Sequence, residues 1–434
     1  MASTYLSPGV YVEEVPPLAR PIAGVGTSTP GFIGVIPDTI ELPALPQKTD
    51  APALIAQGYK FVDFAVPAPA AQPYFISSWM QYTKLFGDYT GDSTAAATAV
   101  ANPAVNAGQQ HLAHAVFGFF DNGGTGCYVC RIASEGDLNN ALRAFAAIDA
   151  IAMVAAPGLT GSTNYSALIS HCTNLQDRVA ILDPVSTDAG TAFASGDFTG
   201  LENPTTANPP GLRPPDSDSA AFYFPWVQVF DPASSLIQSK QTPPGNGLIY
   251  VPPSGHIAGI YARTDSTRGV YKAPANEPVL GATGLRWALG KADQDQLNPP
   301  GVNLIRSLNG AIRVWGGRTV GGDANGNFKY ISTRRFFDFL RKSIDQGTQF
   351  VVFEPNGPAL WQRIVRSVSD FLLNQWRTGA LFGDTPKQAF FVKCDADTNP
   401  PEVREAGQVV TEIGVAIVKP AEFVIFRIQQ MTGG

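Results

Sequence analysis

From about Ala23 to Gly290, short unbroken apolar runs alternate with longer stretches whose apolar residues recur at helical spacing. Gly31-Phe32-Ile33-Gly34-Val35-Ile36 predicts a strand buried on both faces, and residues 107–120 predict a helix. The turn Asp121-Asn122-Gly123-Gly124 leads into a predicted strand over Cys127–Ile132. Then come a helix near 137–147, a strand at Ile151–Ala155, a helix near 164–175, a strand at Val179–Leu182 and an apolar run over Phe222–Val229. Apolar strands separated by amphipathic helices predict an α/β fold with a mostly parallel sheet covered on both faces.

Two stretches break the alternation. Residues 37–73 are rich in Pro and Ala, and residues 185–219 in Pro, Ser, Thr and Asp, so both are expected as surface insertions. The pattern changes again near residue 301. Leu304–Val314 and Thr319 onward predict strands joined by the Gly316-Gly317 and Gly321-Gly322 turns. A helix over Ser332–Ile344 places Phe336, Phe337, Leu340 and Ile344 on one face. Its other face carries Arg334, Asp338, Arg341 and Asp345, spaced for ion pairs within the helix. A second helix starts at Pro358, with Trp361, Ile364, Val365, Val368 and Leu372 as its core stripe and Arg363, Arg366, Asp370 and Arg377 on its polar side. This part is expected as an α+β domain.

The two ends differ from the rest. Val10-Tyr11-Val12-Glu13-Glu14-Val15 is a short strand pattern between Ser7-Pro8-Gly9 and Pro16-Pro17, with no neighbour in sequence to pair with. Glu422-Phe423-Val424-Ile425-Phe426-Arg427-Ile428 predicts a strand apolar on both sides, Phe423 and Ile425 pointing one way and Val424, Phe426 and Ile428 the other. Such a segment needs a place between other strands, in this chain or in a neighbour. The expected organisation is an arm at 1–20, an α/β domain at 21–300, an α+β domain at 301–420 and a strand arm at 421–434.

Composition adds a second argument for assembly. Only 15% of the 434 residues are charged, with 43 Gly and 36 Pro, against roughly 25% charged in ordinary soluble domains. The charge is also uneven. From Gly301 onward there are 16 basic and 12 acidic residues, and before it 14 basic and 24 acidic, so a mildly basic C-terminal third is suited to an acidic protein surface. No signal-peptide pattern and no apolar run of membrane-spanning length occurs, which predicts synthesis and folding in the cytoplasm and no direct membrane insertion.

Candidate chemistry is sparse. Cys127-Tyr128-Val129-Cys130 has the spacing of half a zinc site but lacks a second pair, and Tyr-Val between the thiols favours a buried strand. His111 and His114 have no third ligand spaced to join them. Ser254, His256 and Asp265 supply triad residue types without triad geometry. Asp323-Ala324-Asn325-Gly326-Asn327 lacks the twelfth-position Glu of a calcium loop and predicts a hairpin turn. No phosphate-binding loop, cofactor signature or nucleic-acid footprint is present, so neither an enzyme nor a cofactor is expected.

Several stretches together resemble the sheath proteins of contractile phage tails, pyocins and extracellular contractile injection systems. They are Tyr5-Leu6-Ser7-Pro8-Gly9-Val10-Tyr11-Val12-Glu13-Glu14, then Val251 to Asp265, Leu297-Asn298-Pro299-Pro300-Gly301-Val302-Asn303 and Ile312-Arg313-Val314-Trp315-Gly316-Gly317-Arg318-Thr319. Thr333-Arg334-Arg335, Gln349–Asn356, Phe390–Asp395 and Val418–Ile428 complete the set. The resemblance implies a phage-tail or tail-like particle component that forms stacked hexameric rings around an inner tube protein. Baseplate proteins, terminal cap proteins and paralogous sheath subunits are further implied partners. It also implies strand exchange through Val10, Tyr11, Val12, Phe423, Val424, Ile425, Phe426 and Ile428, and a C-terminal domain that faces the tube. On that basis the tube contact is expected on the helix carrying Arg334, Arg335, Arg341 and Lys342, with Arg363 and Arg366 next. A baseplate or terminator protein on the same fold, and an α/β enzyme with an unrecognised site, remain as alternatives.

Overall fold

The computed structural model describes residues 21–43, 61–90, 106–185, 198–202, 212–238 and 246–425. In chain order the first strands are β1 (Pro30–Val35), β2 (Thr39–Pro43), β3 (Phe61–Ala65), β4 (Tyr74–Ile76), β5 (Cys127–Ile132), β6 (Met153–Ala155), β7 (Val179–Leu182) and β8 (Ala220–Phe224). They are followed by β9 (Val227–Phe230), β10 (Leu248–Val251), β11 (Glu277–Pro278), β12 (Ala282–Leu285), β13 (Val302–Leu308), β14 (Ala311–Val314), β15 (Phe390–Lys393) and β16 (Glu412–Val415).

One nine-stranded sheet organises the larger compact unit, in the order β11-β14-β13-β8-β7-β6-β1-β5-β4. Its six central strands, β13 through β5, run parallel, and antiparallel strands close both edges. Side chains on a strand alternate between faces, and here the alternation separates two cores. Phe32, Val129, Met153, Ile181 and Tyr223 enter one, while Ile33, Cys130, Val154, Ala180 and Phe222 enter the other. Helices Ala107–Asp121 and Ser254–Arg268 cover the first face, and Leu138–Ala146 and Ser162–Leu175 the second. The expected parallel sheet with helices on both faces is therefore present.

The two helices on the first face approach closely because of glycine. A Cβ at Gly255 would lie 2.2 Å from Ala115 Cα, and one at Gly259 would lie 2.5 Å from the Phe119 carbonyl oxygen.

The structure differs from the sequence expectations in three places. The run Phe222–Val229 is two strands, because Pro225 has no N–H to continue the ladder. Strand β9 instead joins a separate sheet in the order β10-β9-β12. The strands near residue 301 do not open a new domain. Strand β13 extends the large sheet beside β8, and its hairpin to β14 turns at Asn309-Gly310, both at positive φ, upstream of Gly316-Gly317. The Gly-rich stretch marks turns, whereas the compact units divide at Arg341 and Lys342, inside helix Ile331–Gly347. Residues 322–328 form a 3-10 stretch in place of the expected hairpin turn.

The smaller unit comprises, among described residues, 21–24 and Lys342–Val418. Helix Pro358–Arg377 begins with Pro358 in its first turn and buries Leu360, Trp361, Ile364, Val368, Phe371 and Leu372. It packs on β15, which pairs antiparallel with β16, and a bridge from Leu381 to Ile417 extends the small sheet. Of the two insertions, 37–73 contributes the antiparallel pair β2–β3, and the described residues of 185–219 include a 3-10 turn over Thr199–Leu201.

Candidate assembly surfaces

The approach to the C-terminal arm is fixed by one carboxylate. Arg318 donates to both oxygens of Glu422 at 2.8 Å, Asn298 donates at 2.8 Å and the Tyr330 hydroxyl at 2.9 Å. Burial opposes the Glu422 charge, but these donors outweigh it and hold the carboxyl below its usual range. Directly after this anchor, Phe423, Val424 and Ile425 are 69%, 69% and 79% exposed. Residues 422–425 of the strand expected over Glu422–Ile428 are not in a strand, and among the described residues no strand pairs with them. Phe426 and Ile428 lie outside the described residues, as do Val10, Tyr11 and Val12.

The arginines expected on one outward surface are placed very differently. Arg335 is 4% exposed and grips Asp265 with two bonds of 2.9 and 2.5 Å. Its guanidinium lies 4.5 Å over the Tyr261 ring. Arg334 is 7% exposed, bonded to Asp338 and lying 4.8 Å over the Phe328 ring. The intrahelical Arg334–Asp338 pair expected from the i,i+4 spacing thus forms, but in the interior. Both arginines are corrected from surface to buried positions, because each has a carboxylate and an aromatic face inside the fold. Arg341 is exposed and donates to Gln176, while Lys342 is half-buried. Arg363 lies 3.5 Å from Glu354 and over Phe350, and Arg366 is exposed.

The catalytic-type residues are not assembled into a triad. Ser254 donates through Oγ and through its backbone N–H to Asp183, at 2.7 and 2.8 Å. Asp265 is engaged by Arg335 and Thr27. Burial pushes the His256 imidazole down to about 3 and that of His111 to about 4. His114 lies 3.6 Å from Asp231. Cys127 and Cys130 are buried free thiols, and burial raises Cys130 to about 12. Asp323 is held by Lys329 at 2.6 Å and by Arg318 at 3.3 Å. Among the described residues, no group of three His, Cys, Asp or Glu side chains is placed to hold a metal ion, and no helix is long and apolar enough to cross a membrane.

Residues 133–320 match the phage tail sheath protein central domain, and residues 323–431 match the phage tail sheath C-terminal domain. The chain belongs to the contractile tail sheath family. A tail sheath protein of Burkholderia phage BcepMu is 26% identical over 253 residues, covering 56% of this chain and 48% of that relative. The chain spans about half or less of the length of the curated relatives it matches, 48%, 26% and 50% in three of them. Among solved structures, a chain of the anti-feeding prophage helical sheath in its contracted state is 26% identical with a TM-score of 0.66. That match covers 98% of this chain and 100% of the other. A chain of the anti-feeding prophage baseplate is also 26% identical, with a TM-score of 0.67 and coverage of 99% and 100%. The sheath family thus accounts for the sheet and the small C-terminal unit together.

Sequence reasoning missed Asp265 as the partner of Arg335, since the two are 70 positions apart and nothing local links them. It also missed Glu422 as an anchor. An acidic residue opening an otherwise apolar strand pattern was the available signal.

Proposed function

We propose that this sheath-family chain is a structural subunit of a contractile sheath. It polymerises as stacked hexameric rings around an inner tube, and ring compaction drives that tube through a target envelope. The observation that carries this reading is the arm: Glu422 is locked by three side chains, and the next three residues present bare apolar surface. Burying each such side chain is worth roughly 1.5–3 kcal/mol, a gain that a sheet edge supplied by another chain provides. The same logic extends to Phe426 and Ile428 on this arm, and to Val10, Tyr11 and Val12 on the other.

Contacts to the tube fall to the cations that remain accessible, Arg341, Lys342, Arg363 and Arg366. Exposed ion pairs of roughly 0–1 kcal/mol each suit a contact that must break during contraction. Baseplate and cap proteins, and any paralogous subunit, are the further partners of such a sheath. Assembly in the bacterial cytoplasm as part of a phage tail or tail-like particle follows from the same reading. No catalytic step or cofactor enters it.

The test is negative-stain electron microscopy of the full chain, with and without its tube protein, beside a variant ending at Glu422. Long ribbed tubes from the full chain and none from the truncation support the proposal. Equal tubes from both overturn the role of the arm. The similarity to a baseplate chain favours a second reading, a ring-forming component at the end of the sheath. Single rings without tubes would select it.

A further inference from the structure

Strands β13 and β14 carry an arrangement that the isolated chain does not explain. Arg306 and Arg313 are direct partners in the antiparallel register, so two like charges stand opposite each other on one face. Such a pairing is unfavourable by itself. Each guanidinium is tethered to a backbone carbonyl, Arg306 Nε to Leu289 at 3.2 Å and Arg313 Nη1 to Asn276 at 3.1 Å. Among the described residues neither is joined to a carboxylate. The nearby Glu277 is taken by Lys272 at 2.7 Å, and its register partner is Val314, which places it on the other face. Trp315 lies two positions beyond Arg313, on the same face by strand alternation, and is 39% exposed.

Two partly exposed guanidiniums in register, each with most of its five donors unused, are a fork for carboxylates, and an adjacent indole adds an apolar contact of the kind that anchors interfaces. We infer that Arg306, Arg313 and Trp315 receive an acidic segment of a neighbouring copy of this chain. The charge balance favours that source. The first 300 residues hold 24 acidic and 14 basic side chains, so the body of another copy offers the complementary surface. The repulsion between the two arginines in the free subunit then becomes attraction in the polymer, biasing the chain towards assembly. This inference rests on the sheath reading above.

The test uses the full chain, with pelleting and negative-stain microscopy across a salt series, for wild type, Arg306→Gln/Arg313→Gln and Arg306→Lys/Arg313→Lys. Denaturant unfolding of each unassembled chain runs alongside. The glutamine pair is expected to unfold at the same or a higher denaturant concentration than wild type. It should nevertheless need at least about tenfold more protein to polymerise, the ratio given by losing 1.4 kcal/mol of contact, and should lose wild type's sensitivity to salt. The lysine pair should fall between them. The inference is overturned if the glutamine pair polymerises like wild type at every salt concentration, which leaves the sheath reading intact. It is also overturned if that variant unfolds earlier, which would make the arginines structural. A wild-type chain that forms no polymer, even with tube protein, removes both the inference and the sheath reading.

Discussion

Arg335 and Asp265 form a two-point ion pair in the interior, with both side chains 4% exposed. The pair joins helix Ile331–Gly347 to helix Ser254–Arg268, and Thr27 completes it by donating to Asp265 at 2.6 Å and lending its carbonyl to Arg335 at 3.1 Å. Breaking a buried pair by removing one partner leaves an uncompensated charge, at a cost of about 3–5 kcal/mol. Arg335→Ala and Asp265→Ala should each destabilise the chain by that amount. The double variant should lose clearly less than the sum of the two, as read from urea midpoints in a double-mutant cycle.

The helix contact at Gly255 makes a prediction of reversed sign. Glycine to alanine in a helix normally stabilises, by up to about 1 kcal/mol. Here the new methyl group would meet Ala115 backbone at 2.2 Å, and forced overpacking costs about 1–3 kcal/mol. Gly255→Ala should lower the melting temperature, whereas Gly136→Ala, where an added Cβ meets only Ser134 Oγ at 3.6 Å, should leave it nearly unchanged.

Those contacts also mark where sequence patterns stop being informative. The alternation of Phe32 and Ile33, or of Val129 and Cys130, between two cores was legible because strand periodicity is a local property. The helices over 107–120 and from Pro358 were legible for the same reason. The fates of Arg334 and Arg335 were not, because helical spacing tells which residues share a face but not which face is buried. A charge pattern of Arg334, Asp338, Arg341 and Asp345 reads as a solvated stripe until Asp218 and two phenylalanine rings are found against Arg334, and Asp265 against the neighbouring Arg335. The expected boundary near 301 rested on a related ambiguity. Glycine-rich turns look alike whether they separate domains or strands of one sheet. In the arm, the apolar residues themselves were legible, and among the described residues no strand covers them.

Asp183 predicts a pH dependence. It is buried, accepts only from neutral donors (Ser254 N–H, Ser254 Oγ and the Gly158 N–H), and burial raises its carboxyl to about 7 despite those bonds. A raised folded-state value means the native chain holds a proton that the unfolded chain has released. Its contribution is therefore fully present below about 4, the unfolded value, and is lost as pH rises to about 7. Asp183→Asn should remove that slope. Unfolding free energies measured from pH 4 to 8 should fall more steeply for wild type than for the variant, and parallel curves would refute the assignment.

The exposed arm separates assembly from folding. Phe423 and Ile425 are 69% and 79% exposed, so changing them should leave the stability of the single chain within about 0.5 kcal/mol. In a polymer the same side chains would lie between strands of another copy, where a buried charge is heavily penalised. Phe423→Asp/Ile425→Asp should therefore give a chain that melts like wild type yet forms no tubes. Glu422→Ala should do the reverse in part. It strips Arg318, whose side chain is 3% exposed, of its bidentate partner, so it lowers the melting temperature while leaving the apolar residues free to be captured. Thermal melts and electron microscopy on the same samples distinguish the two. If the aspartate pair melted early, the arm would belong to the fold of the single chain, and its exposed apolar surface would no longer point to a neighbour.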